Sequence, residues 1–256
     1  MPFTFAHSAA VIPIHLRWGR YFSLTGLVLG SMAPDLEYFL HFKPHGVIGH
    51  TLLGFFYLNF PLVILLAWIF HRVIKEPFIT HLPRPFSQWY RHSTNPPWKF
   101  SSVRKFFVLF YSSILGMFTH VLWDAFTHST GFFVEHLPFL RERFHILSLE
   151  IPFYKVAQHS STLIGFLILA AYLYSRKNTS PRKPEEYSPA QKLWFWASTG
   201  ALAFLFFIYL FLFKGGLSLS QVGEIVVSLI NCGFFSLVCV AWLHRRLPRL
   251  NEEKRR

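Results

Sequence analysis

His120, Asp124 and His128 stand four residues apart in one apolar run, Ser113-Ile-Leu-Gly-Met-Phe-Thr-His-Val-Leu-Trp-Asp-Ala-Phe-Thr-His-Ser-Thr-Gly131. On an α-helix the three fall on one face, drifting by about 40° per step. Each adjacent pair is near enough for two side chains to hold one ion, or two neighbouring ions. Ionisable groups at membrane depth are costly unless they line a protein interior or a wet cavity, which makes them functional candidates. A helix end whose polar residues simply reach the interface is the plainer alternative.

The run belongs to a chain of 256 residues that is 52% hydrophobic, with 31 Phe, 8 Trp and a mean hydropathy of +0.35. Charged residues make up 14%, against about 25% in a soluble domain. Several apolar stretches approach or exceed the roughly 20 residues that cross a bilayer. The fold class expected is all-α: a polytopic membrane helix bundle with a short N-terminal hairpin and about five full transmembrane helices. The alternation of a membrane β-barrel is absent. A net charge of +13 invites a nucleic-acid reading, but the Lys and Arg residues gather in particular loops and at the C-terminus, as topology signals do. No nucleic-acid partner is expected; the bilayer is. Cys232 and Cys239 lie in one apolar segment and are expected to pack as small hydrophobes. The N-terminus lacks a basic n-region, so no cleaved signal peptide is expected.

Residues 3–16 and 21–34 form the expected hairpin of short helices around the basic turn at Arg17 and Arg20. Spans are expected at 47–71, 106–128, 156–175, 193–213 and 221–243. The positive-inside rule places the polar linkers 72–105 and 176–192, and the basic tail 245–256, in the cytoplasm. The loop 129–155 and the short Lys214-Gly-Gly turn then lie outside, as does the N-terminus. Residues 1–244 are expected to form a single membrane domain, with the 129–155 loop lying on the membrane surface over the site.

With that topology, seven groups from five segments reach the outer face: His7, Asp35, His50, His120, Asp124, His128 and His159. Imidazoles and carboxylates suit zinc, manganese or iron, and the lack of cysteine favours a hydrolytic over a structural zinc site. The donors outnumber the needs of one tetrahedral ion, so two or three ions bridged by Asp124 are expected. Asp35 is expected as a ligand or as the general base. Plainer roles stay open at this level. His7 could be interfacial, Asp35 could cap the next helix, and His50 and His159 could be simple helix starts. Glu37, two residues from Asp35, points elsewhere on a helix and is at most a supporting group. His136 and His145 could reach the site. His15, His41, His45, His71, His81, His92 and His244 are expected to be solvated or interfacial.

The motifs Met1-Pro-Phe-Thr-Phe-Ala-His7, Gly30-Ser-Met-Ala-Pro-Asp-Leu-Glu-Tyr-Phe39, Gly49-His-Thr-Leu-Leu-Gly54, Thr119-His-Val-Leu-Trp-Asp-Ala-Phe-Thr-His128 and Gln158-His-Ser-Ser161 resemble the DUF4184 family of bacterial membrane proteins, over roughly residues 1–240. The order His, Pro-Asp, His, His-x-x-x-Asp is also similar to that of membrane-bound metal-dependent hydrolases of the YdjM type. More distantly it resembles the zinc-dependent phospholipase C and S1/P1 nuclease group, which cleaves phosphoester bonds with three zinc ions. That resemblance implies one zinc shared by His50, His120 and Asp124 with Asp35 beside it. A second would be held by His7 and bridged by Asp124, and a third by His128 and His159. The chain departs from the distant group in two places: it offers no N-terminal tryptophan amine, and no acid follows His159 within Ser160-Ser-Thr-Leu163.

The reading that results is a metal-dependent hydrolase in a bacterial cytoplasmic membrane. Its cofactor would be one to three divalent ions, zinc above all, and its substrate a small-molecule or lipid phosphoester. A transporter, a haem-binding carrier or a structural membrane protein with polar groups paired across helices are the non-catalytic alternatives.

Overall fold

The computed structural model describes residues 3–94, 102–146, 149–180, 187–213 and 221–253. In chain order, a 3₁₀ segment Thr4–Val11 leads into α1 (Ile12–Trp18), then α2 (Leu24–Met32), a 3₁₀ turn Ala33–Asp35 and α3 (Leu36–His41). One helical run holds α4 (Leu52–Gly54), α5 (Phe60–Ile69) and α6 (Lys75–His81), interrupted by wide π turns at Phe55–Asn59 and Phe70–Ile74. The short α7 (Phe86–Tyr90) precedes α8 (Val103–Thr127) and α9 (Phe132–His136). Strands β1 (Arg143–Ile146) and β2 (Leu149–Pro152) pair antiparallel, and α10 (Phe153–Ser175), α11 (Pro189–Phe213) and α12 (Val222–Glu253) complete the chain.

The protein is an all-α polytopic membrane protein. Leu52–His81, Val103–His136, Phe153–Ser175, Pro189–Phe213 and Val222–Arg246 are helices long and apolar enough to cross a bilayer. The span expected at 47–71 starts later and runs ten residues further, into what the sequence presents as a polar loop. The π turn at Phe55–Asn59 explains how the helix survives Pro61: Phe60 N bonds to Phe55 O, one residue further back than usual. The widened turn makes room for a ring that cannot donate its own hydrogen bond. The second hairpin helix likewise continues past Pro34 as a 3₁₀ turn, because proline fits the first turn of a helix. The basic tail is helical as far as Glu253. Lys99, Arg182, Lys183, the Lys214-Gly-Gly turn and Lys254-Arg255-Arg256 lie outside the described residues.

The chain forms two compact units. In the first (residues 1–37, 46–64 and 100–175), α2 packs along α8. Gly26 and Gly30 are a small-xxx-small pair, the signature of closely packed membrane helices. A methyl on Gly30 would strike the Ser113 backbone, and one on Gly116 would sit 2.5 Å from the Leu27 carbonyl oxygen. The two backbones therefore touch with no side chain between them. Both helices start on serine caps: Ser23 accepts from Gly26 N and Ser102 from Lys105 N.

In the second unit (residues 38–45, 65–99 and 176–256), α11 packs on α12. His81 is 1% exposed there, its ring stacked between Tyr187 and Phe195 at 4.2 and 4.3 Å. The solvated role expected for His81 is therefore wrong, and its burial is compensated by Nδ1 bonding to the Pro77 carbonyl at 2.7 Å. Lys192 Nζ donates to Leu82 O and Ser87 Oγ, so a buried cation caps the carboxyl end of α6. Both cysteines are free. Cys232 is buried as expected, but Cys239 is exposed.

Candidate metal centre

Asp35 closes the 3₁₀ turn after α2 and has no exposed surface. Its Oδ2 accepts a hydrogen bond from Thr4 Oγ1 at 2.7 Å, which leaves Oδ1 as the free donor atom. His120, on α8, is equally buried, and its Nδ1 lies 2.7 Å from the Ser31 carbonyl oxygen. A carbonyl can only accept, so the proton sits on Nδ1 and the lone pair on Nε2. Such outer hydrogen bonds orient imidazole and carboxylate ligands in metal sites.

His50 precedes α4. Thr51 is the cap of that helix, its Oγ1 accepting from Gly54 N, so the capping role open to His50 belongs to its neighbour. His50 Nε2 lies 3.6 Å from Asp35 Oδ1 and 3.7 Å from Asp124 Oδ2. His120 Nε2 lies 3.5 Å from Asp35 Oδ1 and 3.3 Å from Asp124 Oδ2. One ligand atom from each of these four residues falls within 4.8 Å of the others, so they could hold a metal ion.

Asp124 also faces the other way. Its Oδ1 lies 3.5 Å from His7 Nε2 and 3.4 Å from His128 Nδ1. His7 comes from the N-terminal 3₁₀ segment, its ring stacked on His120 with centroids 3.8 Å apart. His128 does not continue the face of α8: the helix ends at Thr127, and His128 is extended, with its ring Nδ1 3.1 Å from the Asp124 carbonyl. That bond puts the proton on Nδ1 and leaves Nε2 as the available ligand atom.

Six of the seven expected residues thus come together, and the seventh does not. His159 is exposed on α10, and no contact among the described residues ties it to the others. Gln158 is the buried residue at that turn, and the next position on a helix points about 100° away. The His128–His159 pair implied by resemblance is therefore not formed. His136 bonds to Phe132 O and His145 faces Glu150, so neither joins the group.

The separations are compatible with a cation site. They run from 3.3 to 3.7 Å, longer than ordinary N–H···O bonds of about 2.9 Å. Ligands at about 2.0–2.1 Å around a tetrahedral ion stand roughly 3.3 Å apart, which is close to what the residues show. Asp35 Oδ1, His120 Nε2, Asp124 Oδ1 and both ring nitrogens of His7 are buried without a hydrogen-bond partner. Of these, Asp35 Oδ1, His120 Nε2, Asp124 Oδ1 and His7 Nε2 face other members of the group, where a cation could satisfy them.

Sequence reasoning missed Thr4, Ser31 and Asn59 as supports. Thr4 and Asn59 carry no signal of their own, but the Gly26/Gly30 pair marks the close helix contact that delivers Ser31 to His120. The model of a family described as "Domain of unknown function (DUF4184)" matches residues 1–242. The chain belongs to the DUF4184 family. The match covers every residue of the centre. No curated protein and no solved structure matches the chain.

Proposed function

We propose that the protein is a membrane-embedded, metal-dependent hydrolase of phosphoesters. The observation that carries this is Asp124, whose two oxygens face two different sets of imidazoles. Oδ2, with Asp35, His50 and His120, would serve a first ion, and Oδ1, with His7 Nε2, would serve a second, toward which His128 would have to turn its Nε2. Nitrogen and oxygen donors without thiolate favour zinc in a hydrolytic role. The ions would activate water and polarise the phosphoryl oxygen at neutral pH. With His159 turned away, one or two ions are assigned rather than three.

The chain's own residues do the rest. Thr4 and the Ser31 carbonyl hold Asp35 and His120 rigidly, and the stacked His7 ring closes the buried side. Oδ2 of Asp35 is held by Thr4, and its free Oδ1 faces His50 and His120 at the common point, so we assign it as a ligand and not as the general base. His50 and His128 keep 27% of their side chains exposed, whereas His120 and Asp35 keep none. Substrate would therefore approach past His50 and His128. Exposed Val47, Ile48, Leu52 and Leu53 flank His50 in the chain, which suits an amphiphilic phosphoester presented by the bilayer.

We place the protein in a bacterial cytoplasmic membrane with the centre toward the outer leaflet, on the strength of the basic linkers. The test is zinc content and hydrolysis of aryl phosphomonoesters and phosphodiesters by purified protein. We expect stoichiometric zinc, and loss of both zinc and hydrolysis in Asp124→Ala. A wild-type protein that carries no zinc, manganese or iron, or hydrolysis unchanged in Asp124→Ala, would refute the assignment.

A further inference from the structure

Glu37 sits two residues beyond Asp35 and is buried, yet it is not among the four residues of the cation site. One oxygen, Oε2, accepts hydrogen bonds from three successive backbone amides: Val47 N at 3.0 Å, Ile48 N at 2.9 Å and Gly49 N at 2.7 Å. Successive amides converging on one point make an anion-binding nest, filled here by the chain's own carboxylate. Charge-assisted bonds of this kind are about twice as strong as neutral ones. They offset the cost of burying a carboxylate.

The residue after this nest is His50. The peptide between them is gripped from its other end as well, because Asn59 Nδ2 donates to Gly49 O at 2.6 Å. Gly49 has no space for a side chain, since the Pro34 carbonyl oxygen occupies the position a Cβ would take. Pro34 immediately precedes Asp35. The backbone carrying one ligand is thus pressed against the backbone carrying another, and Glu37 is the polar tie between them.

We propose that Glu37 is a positioning residue which, through the amides of residues 47–49, sets His50 Nε2 opposite Asp35 Oδ1 and so completes the cation site. The proposal rests on the metal-centre reading above and adds a residue that touches no ion. A role confined to general stability would lower zinc affinity by the same factor whether or not His50 is present. A role exercised through His50 would not.

The experiment measures zinc affinity by chelator competition on the full-length protein in detergent, for wild type, Glu37→Ala, Glu37→Gln, His50→Ala and the Glu37/His50 double variants. Amide hydrogen exchange over residues 47–50 accompanies it. Glu37→Ala should weaken zinc by about 10–100-fold, and Glu37→Gln by less, because its amide oxygen can still accept. Neither should weaken zinc further once His50 is alanine, and protection of the 47–49 amides should fall. Should Glu37→Ala fail to fold, Glu37→Gln decides by the same cycle. Unchanged affinity in a folded Glu37 variant, or a loss fully additive with His50→Ala, would overturn the role. A wild type without bound zinc would bring down the metal centre itself, a result distinct from zinc-loaded wild type and an indifferent Glu37.

Discussion

His120 Nδ1 hydrogen-bonds the carbonyl of Ser31, one helical turn before Asp35. Two proposed ligands from different helical segments, His120 and Asp35, are therefore tied by a bond that leaves both of their facing atoms free. The tie exists only because α2 and α8 run in backbone contact at Gly30 and Gly116.

A methyl at either glycine should wedge the helices apart. Gly30→Ala or Gly116→Ala is expected to destabilise the protein by about 1–3 kcal/mol and to reduce bound metal. Thermal unfolding in detergent and elemental analysis of the same sample check the two effects together. A variant with lowered stability and full metal content would uncouple the helix contact from the centre.

The Thr4 hydroxyl reaches Asp35 Oδ2, so a variant that removes only that hydroxyl tests the outer hydrogen bond. Thr4→Val keeps the shape and removes the hydroxyl on Asp35 Oδ2. Zinc affinity should fall by about tenfold or more, and Thr4→Ser should restore it. Equal affinity in Thr4→Val and wild type would show that Asp35 needs no such support.

The seven histidines and aspartates expected from sequence divide into two classes. His50→Ala, His120→Ala and Asp124→Ala should each lower metal content. His159→Ala should leave it at the wild-type value, because that ring is exposed on α10. Metal loss in His159→Ala would require a rearrangement of α10 and would return the third ion to consideration.

Lys192 offers a control within the second unit. Lys192→Met removes donors to Leu82 O and Ser87 Oγ and should cost about 1–3 kcal/mol. Metal content should not change. Coincident loss of metal would show that the two units respond as one.

The convergence of His7, Asp35, His50, His120 and Asp124 was legible in the sequence because buried charge is rare in apolar helices, and the topology expected from the charge pattern put all of them at one end of the helices. The family likeness was legible as well, from the motifs around those residues. What could not be read was geometry finer than a helix face. His128 and His159 have the right types and topology, yet one leaves its helix and the other turns outward beside Gln158. Glu37 was legible as a supporting group, but not what it supports: its partners are backbone amides, which carry no residue identity. His81 sat in an apparently polar loop and is a core residue, since its burial depends on Tyr187 and Phe195 more than a hundred positions away.

The glycine contact between α2 and α8 has one more consequence. Where backbone rather than rotamers spaces the donors, the cage is preorganised, and an incoming cation need not collect flexible side chains. Affinity of the proposed site would then rise because little ordering entropy is spent, and the site would resist widening between α2 and α8. Large, high-coordination ions such as calcium, at about 2.3–2.6 Å from their ligands, should be rejected in favour of those that fit near 2 Å.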